Sequence, residues 1–359
     1  SQPITPIAQD SIIGAYLLTR EDNKFTKEQV HSLLMFYDKF DNIFPEPAGK
    51  NEYGEDYWDG KQLFSMILPK ITIKTGTIQV RRGDIIDGYL QKDSLESSNS
   101  GFIQQIYNAY GMEETTDFLN NTQDLITKFM VWNSFSIGYG DCIPNEKAHE
   151  ENHILLRDTI EKSENMIREA QEGVFAPTLD KQLLRDKLED DLMNLAKGGS
   201  EKVTKNTNDK IELDNNFLKA VESGSKGKDF NIGQILGSVG QQDIWGKRVS
   251  DGFTDRTLPH FHRFDVSLLA KGFIKHSYFE GLNPVEEYFH AMTGRTGVID
   301  TAIRTADSGY ISRKFIKATE GLMVHYDGTV RNETDVMLQP QYGGDSYDPV
   351  KLENMEVRL

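Results

Sequence analysis

One segment constrains this chain more than any other: Gly281–Gly321, GLNPVEEYFHAMTGRTGVIDTAIRTADSGYISRKFIKATEG. Asn283 is a good N-cap, Pro284 suits the first helical position and Glu286 can close a capping box. Gly321 suits the stop. Phe289, Met292, Ile299, Ala302, Ile303, Ala306, Tyr310 and Ile316 recur at helical spacing. The expected helix, Pro284 to Glu320, is about 37 residues or ~55 Å long at 1.5 Å per residue. An ordinary globular helix has about 11–12 residues. Gly294, Gly297 and Gly309 interrupt the run, each at a cost of about 1 kcal/mol against Ala. Two readings of these glycines stand side by side: close approach of packed neighbours, or a long rod that must bend.

The remainder implies an α+β fold of several parts, as 359 residues allow. Residues 1–145 form a mixed α+β domain, with a β-branched run at 71–80, turn signals at Arg82-Gly83-Asp84 and Asp87-Gly88, and helices at Gly101–Tyr110 and Thr116–Ser134. Asp84 and Asp87 read as a solvated loop. Residues 146–208 form a charged helical hairpin, with helices near Glu146–Gln171 and Leu179–Leu195 joined by GVFAPT. Ile154, Ile160 and Met166 are its apolar repeat, and the hairpin is a solvated element that suits partner docking. Residues 209–280 follow, then the long helix (281–321), then a strand-and-turn region (322–359).

Composition narrows the function. The formal charge of −16 argues against a free-standing nucleic-acid binder, though not against one inside a larger assembly. Cys142 is the single cysteine, so neither an intrachain disulfide nor a multi-cysteine zinc site can form. No run reaches the ~18 apolar residues of a membrane helix, and no signal peptide is evident at the start. An intracellular setting is expected. The first residue is not Met, which points to processing or to a piece of a longer protein.

Several motifs mislead. Ser136-Ile137-Gly138-Tyr139-Gly140-Asp141 resembles a potassium-channel filter and an intramembrane protease motif, but both need membrane helices. His260 and His262 lack a third ligand at metal-site spacing, so no metal is expected on this chain. There is no Walker loop, dinucleotide fingerprint or nucleophile elbow, and no complete active site.

The run from His290 to Lys314 closely resembles the bridge helix of the largest subunit of multisubunit DNA-directed RNA polymerases. The remainder agrees in order. Trp58-Asp-Gly-Lys-Gln62-Leu-Phe-Ser and Phe135–Asp141 are similar to the family's pore region. The 146–208 hairpin stands where its funnel helices lie. Ser223–Asn231, Gly240-Gln241-Gln242 and Gly246-Lys247-Arg248 are similar to the floor of the secondary channel, through which nucleotides reach the active centre. Phe253–Phe261 is another family run and accounts for the two histidines. The likeness weakens after Asp335.

The resemblance implies DNA-templated RNA synthesis by a nucleotidyltransferase that uses paired Mg²⁺ ions. The family holds those ions on an Asn-Ala-Asp-Phe-Asp-Gly-Asp loop upstream of residue 1, and its trigger loop lies beyond Leu359, so these residues alone are expected to be inactive and to bind no Mg²⁺. By the same resemblance Arg304, Thr305, Ala306 and Tyr310 support the active centre, with Thr305 and Ala306 beside the template base. Lys226, Asn231, Gln241, Gln242, Lys247, Arg248 and Arg295 line the nucleotide channel. Arg304, Arg313, Lys314 and Lys317 face nucleic-acid phosphates; a basic helix end complementing the dipole is the plainer reading for the last three. Gly294, Gly297 and Gly309 become hinges. Trp245 and Thr293 depart from the eukaryotic pattern around the α-amanitin site, so toxin sensitivity is not expected. Implied partners are the second-largest subunit, other polymerase subunits, the DNA template with its RNA hybrid, and a transcript-cleavage factor on the hairpin. The implied location is the nucleus, or virion and host cytoplasm for a viral enzyme. The alternative is a non-enzymatic scaffold or interaction module derived from that family.

Overall fold

The computed structural model describes residues 5–21, 23–37, 39–40, 43–50, 53–96, 101–173, 181–349 and 352. They are mixed helix and small antiparallel sheets, the α+β class expected. The chain divides into two compact units, Gln2–Glu287 and Tyr288–Leu359. Among the described residues no helix is long and apolar enough to cross a membrane.

The first unit starts with α1 (Asp10–Thr19), β1 (Lys24–Phe25), α2 (Lys27–Leu34), β2 (Gly49–Lys50), β3 (Asp56–Asp59) and α3 (Gly60–Ile67). Strands β1, β3 and β2 form an antiparallel sheet with β3 central. The Trp58–Gln62 motif is its pivot. The Trp58 indole donates to the Pro45 carbonyl at 3.0 Å. Asp59 caps α3 by accepting from the Gln62 amide at 2.7 Å, and the Gln62 side chain accepts in return from the Asp59 amide at 3.2 Å. A Cβ on Gly60 would lie 1.7 Å from the Leu18 carbonyl oxygen, so only glycine lets α3 pass α1 there.

The run at 71–80 holds two strands. β4 (Ile73–Thr75) and β5 (Ile78–Arg81) turn through Gly76, and β6 (Asp84–Asp87) comes after a two-residue turn in which Arg82 and Gly83 both have positive φ, 54° and 94°. Asp84 and Asp87 are therefore the exposed ends of a strand whose Ile85 is buried in the core, rather than a loop.

After α4 (Lys92–Leu95) come α5 (Phe102–Tyr110) and α6 (Met112–Trp132), hinged at Gly111 with φ 84°. Helix α6 begins a turn earlier than expected. Its buried Thr115, Phe118, Thr122, Leu125, Ile126 and Phe129 form one helical stripe. Phe64, Phe102 and Phe118 meet with ring centroids 6.3–6.5 Å apart at the centre of this core.

Helices α7 (Glu146–Gln171) and α8 (Lys181–Lys210) form the antiparallel hairpin. Most of the expected GVFAPT turn, 174–178, falls outside the described residues. Two expectations are corrected. Ile160 and Met166 flank the hairpin core and pack against it, whereas Ile154, about 240° of helix turn before Ile160, is 65% exposed. The buried seam of α7 is Ala148, Asn152, Leu156, Thr159 and Ser163. Against it α8 sets Leu188, Leu192, Ala196 and Val203, and the Asn152 amide donates to the Thr207 hydroxyl at 2.9 Å. Second, α8 runs fifteen residues past its expected end at Leu195. Gly198 and Gly199 do not stop it: a Cβ on Gly199 would lie 2.6 Å from Thr159 Cγ2, so this glycine serves close helix contact.

After α8 come α9 (Asn216–Glu222), α10 (Asp229–Leu236), β7 (Gly240–Gln241), β8 (Asp243–Ile244), β9 (Lys247–Arg248) and β10 (Phe273–Ile274); α10 and β7 pack on α8, and β9 is tied to its first half through Arg248 and Glu189. A Cβ on Gly233 would lie 2.2 Å from Thr204 Oγ1, and one on Gly237 2.7 Å from Val203 Cγ1, so α10 rests directly on α8.

Helix α11 (Pro284–Thr319) has 36 residues and runs unbroken through Gly294, Gly297 and Gly309. Its start is the capping box expected. Asn283 Oδ1 accepts from the Val285 and Glu286 amides at 3.1 and 2.9 Å, and Glu286 Oε2 accepts from the Asn283 amide at 3.1 Å. Buried Glu286 also meets His276 Nδ1 at 2.7 Å and the Lys275 amide at 3.2 Å. Its end differs: the helix stops at Thr319, and Gly321 lies in a turn without left-handed φ. The second unit continues into an antiparallel sheet of β11 (Met323–Val324), β12 (Val330–Arg331) and β13 (Met337–Gln339), with β12 central.

Candidate functional site

The loop between α9 and α10 carries Lys226. Ser223 is fully buried, and its hydroxyl donates to the Ala220 carbonyl at 3.0 Å. The Ser225 hydroxyl donates to the same carbonyl at 3.1 Å. From the first domain, the Lys92 amide donates to the Ser223 carbonyl at 2.9 Å and Gln91 Nε2 to the Glu222 carbonyl at 2.9 Å. Gly224 and Gly227 take φ of 75° and 77°, conformations that favour glycine. Asn231 Oδ1 accepts from the Lys228 amide at 2.9 Å and so closes the loop onto α10. The result is an exposed cation, Lys226, on a backbone tied at both sides.

Strands β7 and β10 pair antiparallel, with Gln241 opposite Phe273. Gln241 Nε2 donates to the Lys271 and Gln242 carbonyls at 2.8 and 2.9 Å, while its Oε1 is buried without a partner in the described structure. Gln242 is buried. Strands β8 and β9 join through Trp245 and Gly246, both with positive φ (57° and 77°), and Trp245 is 70% exposed. Left-handed φ is costly for so bulky a residue.

Lys247 and Arg248 then diverge. Lys247 is exposed on the wall of a cleft of about 530 Å³ whose other residues include Asp186, Glu189, Asp190 and Asp251. The Arg248 side chain is 1% exposed; its Nε donates to Glu189 Oε2 at 2.8 Å and one terminal nitrogen to the Val266 carbonyl at 3.0 Å. Its guanidinium is thus committed to holding the hairpin on α8.

The Phe135–Asp141 motif is a clasp. Asp141 Oδ2 accepts from the Gly138 amide at 2.7 Å and Oδ1 from the Asn216 amide at 2.9 Å, while the Asn216 side chain donates to the Ser136 carbonyl at 2.9 Å. Its Asp141 carbonyl also accepts from the Asn215 side chain at 2.8 Å. His260 and His262 are both exposed and join no cluster of three metal-ligating groups among the described residues.

On α11 every residue from 301 to 319 is exposed. Ala302, Thr305, Ala306 and Gly309 stand at i, i+3, i+4 and i+7, so one face carries only small side chains. The same face reaches Arg313 one turn later. Arg304 lies about 180° from Arg313, nine residues on at about 100° each, so the four expected phosphate contacts do not share a face. Arg304 pairs with Asp300 at 2.7 Å, Lys314 Nζ lies 3.9 Å from the Tyr310 ring centroid and Lys317 pairs with Glu320 at 2.7 Å. Arg295 and Arg313 make no ion pair among the described residues. A Cβ on Gly294, Gly297 or Gly309 would meet no described atom within 4 Å, so no neighbour in the described chain requires these glycines.

A further group escaped the sequence reading. His149 and His153 of α7 converge with Glu280, their Nε2 atoms 3.1 Å apart. The signal was local: His-x-x-x-His on a helix puts both rings on one face. The partner carboxylate, 127 positions beyond His153, was not readable.

Comparison with known proteins adds the family. Residues 1–142 match the family model RNA polymerase Rpb1, domain 3; residues 160–274 match domain 4; residues 281–355 match domain 5. Two curated relatives, DNA-directed RNA polymerase II subunits RPB1-A and RPB1-B of Trypanosoma brucei brucei, are each 33% identical to the chain over 368 aligned positions. The alignment covers 98% of this chain and 20% of each relative, so the chain spans about a fifth of their length.

Proposed function

The chain belongs to the family of the largest subunit of DNA-directed RNA polymerases, and we propose that it lines the nucleotide-access channel and contributes the bridge helix, α11, to DNA-templated RNA synthesis. The observation that carries this reading is the small-residue face of α11 on a stretch exposed on every side. Ala302, Thr305, Ala306 and Gly309 leave room for a base pair to lie against the helix, with the Thr305 methyl for contact. Its hydroxyl already donates to the Ala302 carbonyl at 2.9 Å, which fixes its rotamer. Arg313 continues the same face and offers to a backbone phosphate a guanidinium that makes no ion pair among the described residues. Apolar Ile303, Ile311, Phe315 and Ile316, each more than half exposed, are then covered by nucleic acid and other subunits.

Lys226 serves the incoming triphosphate. A flexible lysine is a point charge, and the tied Ser223–Lys228 loop limits where that charge stands. The resemblance assigns Lys247, Gln241 and Arg295 to the approach, while Arg248 acts by holding the β8–β9 turn. The family chemistry uses Mg²⁺ ions to stabilise attacking and leaving oxygens. Among the described residues the one group of three or more ligating side chains is His149, His153 and Glu280; it is too rich in nitrogen for Mg²⁺, so no step is assigned to these residues through that ion. The proposed partners are the second-largest subunit, the DNA–RNA hybrid, and a cleavage factor on the α7–α8 hairpin. The proposed site of action is the nucleus, or virion and host cytoplasm for a viral enzyme.

The test is a photo-crosslinking residue at position 305 in the assembled polymerase on a DNA–RNA scaffold. The expected product joins α11 to the template strand at the active centre. A crosslink only to protein, with an active enzyme, would sink the reading.

A further inference from the structure

We propose that His149, His153 and Glu280 bind one divalent transition-metal ion of the zinc class, which clamps the base of α7 to the loop 276–283. No part of this rests on the polymerase reading.

The geometry comes first. Glu280 Oε1 lies 3.6 Å from His149 Nε2 and 3.1 Å from His153 Nε2, and the two Nε2 atoms are 3.1 Å apart. Nitrogen and oxygen ligands of tetrahedral zinc stand at about 2.0–2.1 Å, which separates any two by about 3.3–3.4 Å. The three observed edges bracket that value. A point about 2.05 Å from all three atoms lies about 0.8 Å off their plane, close to the ~0.7 Å of a tetrahedral ion with three protein ligands. The fourth position is left for water.

Two arrangements can satisfy these atoms, hydrogen bonds or a shared ion. A neutral imidazole offers at Nε2 either one N–H or one lone pair. If both Nε2 atoms carry hydrogen, both can donate to Glu280 Oε1, with the two donors held 3.1 Å apart. If only one does, its single hydrogen points at the other ring or at the carboxylate, and the remaining contact sets lone pair against lone pair. A cation at the centre satisfies all three atoms together.

The supporting shell is also present. Glu280 Oε2 accepts from the Ser277 amide at 2.9 Å, and the Glu280 amide donates to the Ser277 hydroxyl at 3.2 Å, with Ser277 fully buried. One carboxylate oxygen is thus anchored and the other is aimed at the imidazoles, the arrangement by which outer contacts orient a ligand. On α7, Asn145 accepts from the Lys147 amide at 3.0 Å, so His149 and His153 project from a capped helix. The side chains keep 33%, 47% and 17% exposure, enough for an ion to enter from solvent. Two imidazoles and one carboxylate select zinc, copper or nickel over Mg²⁺ or Ca²⁺, which take oxygen ligands.

The test uses the intact protein, stripped with chelator and equilibrated with Zn²⁺ or with Co²⁺ as a spectroscopic substitute. Metal per chain is counted by mass spectrometry after dialysis. The wild type should retain one ion more than His153→Gln and Glu280→Gln, and its Co²⁺ form should show a tetrahedral visible band that both variants lack. Glu280→Gln should weaken Zn²⁺ binding tenfold or more and, nearly isosteric, serves where His153→Gln fails to fold. Equal metal counts and equal Co²⁺ spectra in the wild type and the folded variants would overturn the proposal. So would a wild type that takes up no ion at micromolar Zn²⁺, the outcome expected of a purely hydrogen-bonded cluster.

Discussion

The Tyr16 phenol donates a hydrogen bond of 2.7 Å to Glu222 Oε2 across 206 positions of chain, and so ties α1 to the residue that opens the Lys226 loop. Burial first, then this bond and the Glu222 charge, push the phenol above its ordinary value of 10.0. A raised folded-state value favours the protonated form: the stabilisation is complete below pH 10 and is lost as pH rises beyond it. Tyr16→Phe should cost about 1 kcal/mol at neutral pH and remove this part of the alkaline loss. Hydrogen exchange at 223–228 should quicken. Unchanged exchange there would show that Lys92 and Gln91 hold the loop without help.

The second unit carries an acid-sensitive knot. The Asp327 carboxylate accepts from the Thr329 hydroxyl at 2.6 Å and amide at 3.0 Å, and from Arg331 at 2.7 Å. The Thr329 bonds, and after them Arg331, lower its value from 3.8 to about 2. A depressed carboxylate contributes stability above its unfolded value, and that contribution disappears as pH falls from about 4 to about 2. Asp327→Asn should flatten the pH dependence of β11–β13 stability in that window. Carboxyl chemical shifts recorded through the titration would read it directly, and a midpoint for Asp327 near the ordinary carboxylate value would refute the assignment.

Arg248 should behave as a structural residue before it behaves as a ligand. Arg248→Ala strands the Val266 carbonyl and leaves Glu189 unpaired. Glu189 is 40% exposed, so water recovers part of the loss, and the cost should be about 2 kcal/mol, below the roughly 3–5 of a fully buried pair. Arg248→Lys should restore less than half, because an ammonium cannot reproduce the planar fork. Denaturant midpoints decide this; a neutral Arg248→Ala would mean that the guanidinium is held for substrate instead.

What could be read in the sequence was what is local. Asn283, Pro284 and Glu286 announce the start of α11 because capping acts within four residues. Asp59 and Gln62 announce α3 for the same reason, although that box became plain only in the structure. The family likeness rested on long runs such as His290–Lys314, and the same runs lie within the matched domains. The errors came from tertiary context. Ile154 is apolar and exposed while Asn152 is polar and buried, since the face of α7 is chosen by α8, whose Thr207 supplies the hydrogen bond. Gly198 and Gly199 weaken a helix on propensity, yet α8 passes through them, and at Gly199 the neighbouring α7 needs the space. Arg248 reads as a channel cation until Glu189, 59 positions away, is seen to hold it. Glu280 joins two histidines for a reason that no spacing rule encodes.

The glycines supply the last prediction, because the two kinds differ in what surrounds them. At Gly60 a Cβ would sit 1.7 Å from a backbone oxygen that cannot rotate away. Gly60→Ala should therefore cost about 3 kcal/mol or more as α3 is forced off α1. At Gly309 the same Cβ meets open space within the described chain, and alanine gains helix propensity. Gly309→Ala should therefore stabilise α11 by up to about 1 kcal/mol. If the glycine serves bending, that gain falls on the straight helix and opposes local unwinding, so the assembled enzyme should elongate more slowly or pause more often while nucleotide affinity is kept. If the glycine serves close contact with another subunit, assembly suffers instead. Subunit recovery and single-nucleotide addition rates, measured on the same preparation, separate the two. Normal assembly with unchanged addition kinetics would sink the bending role.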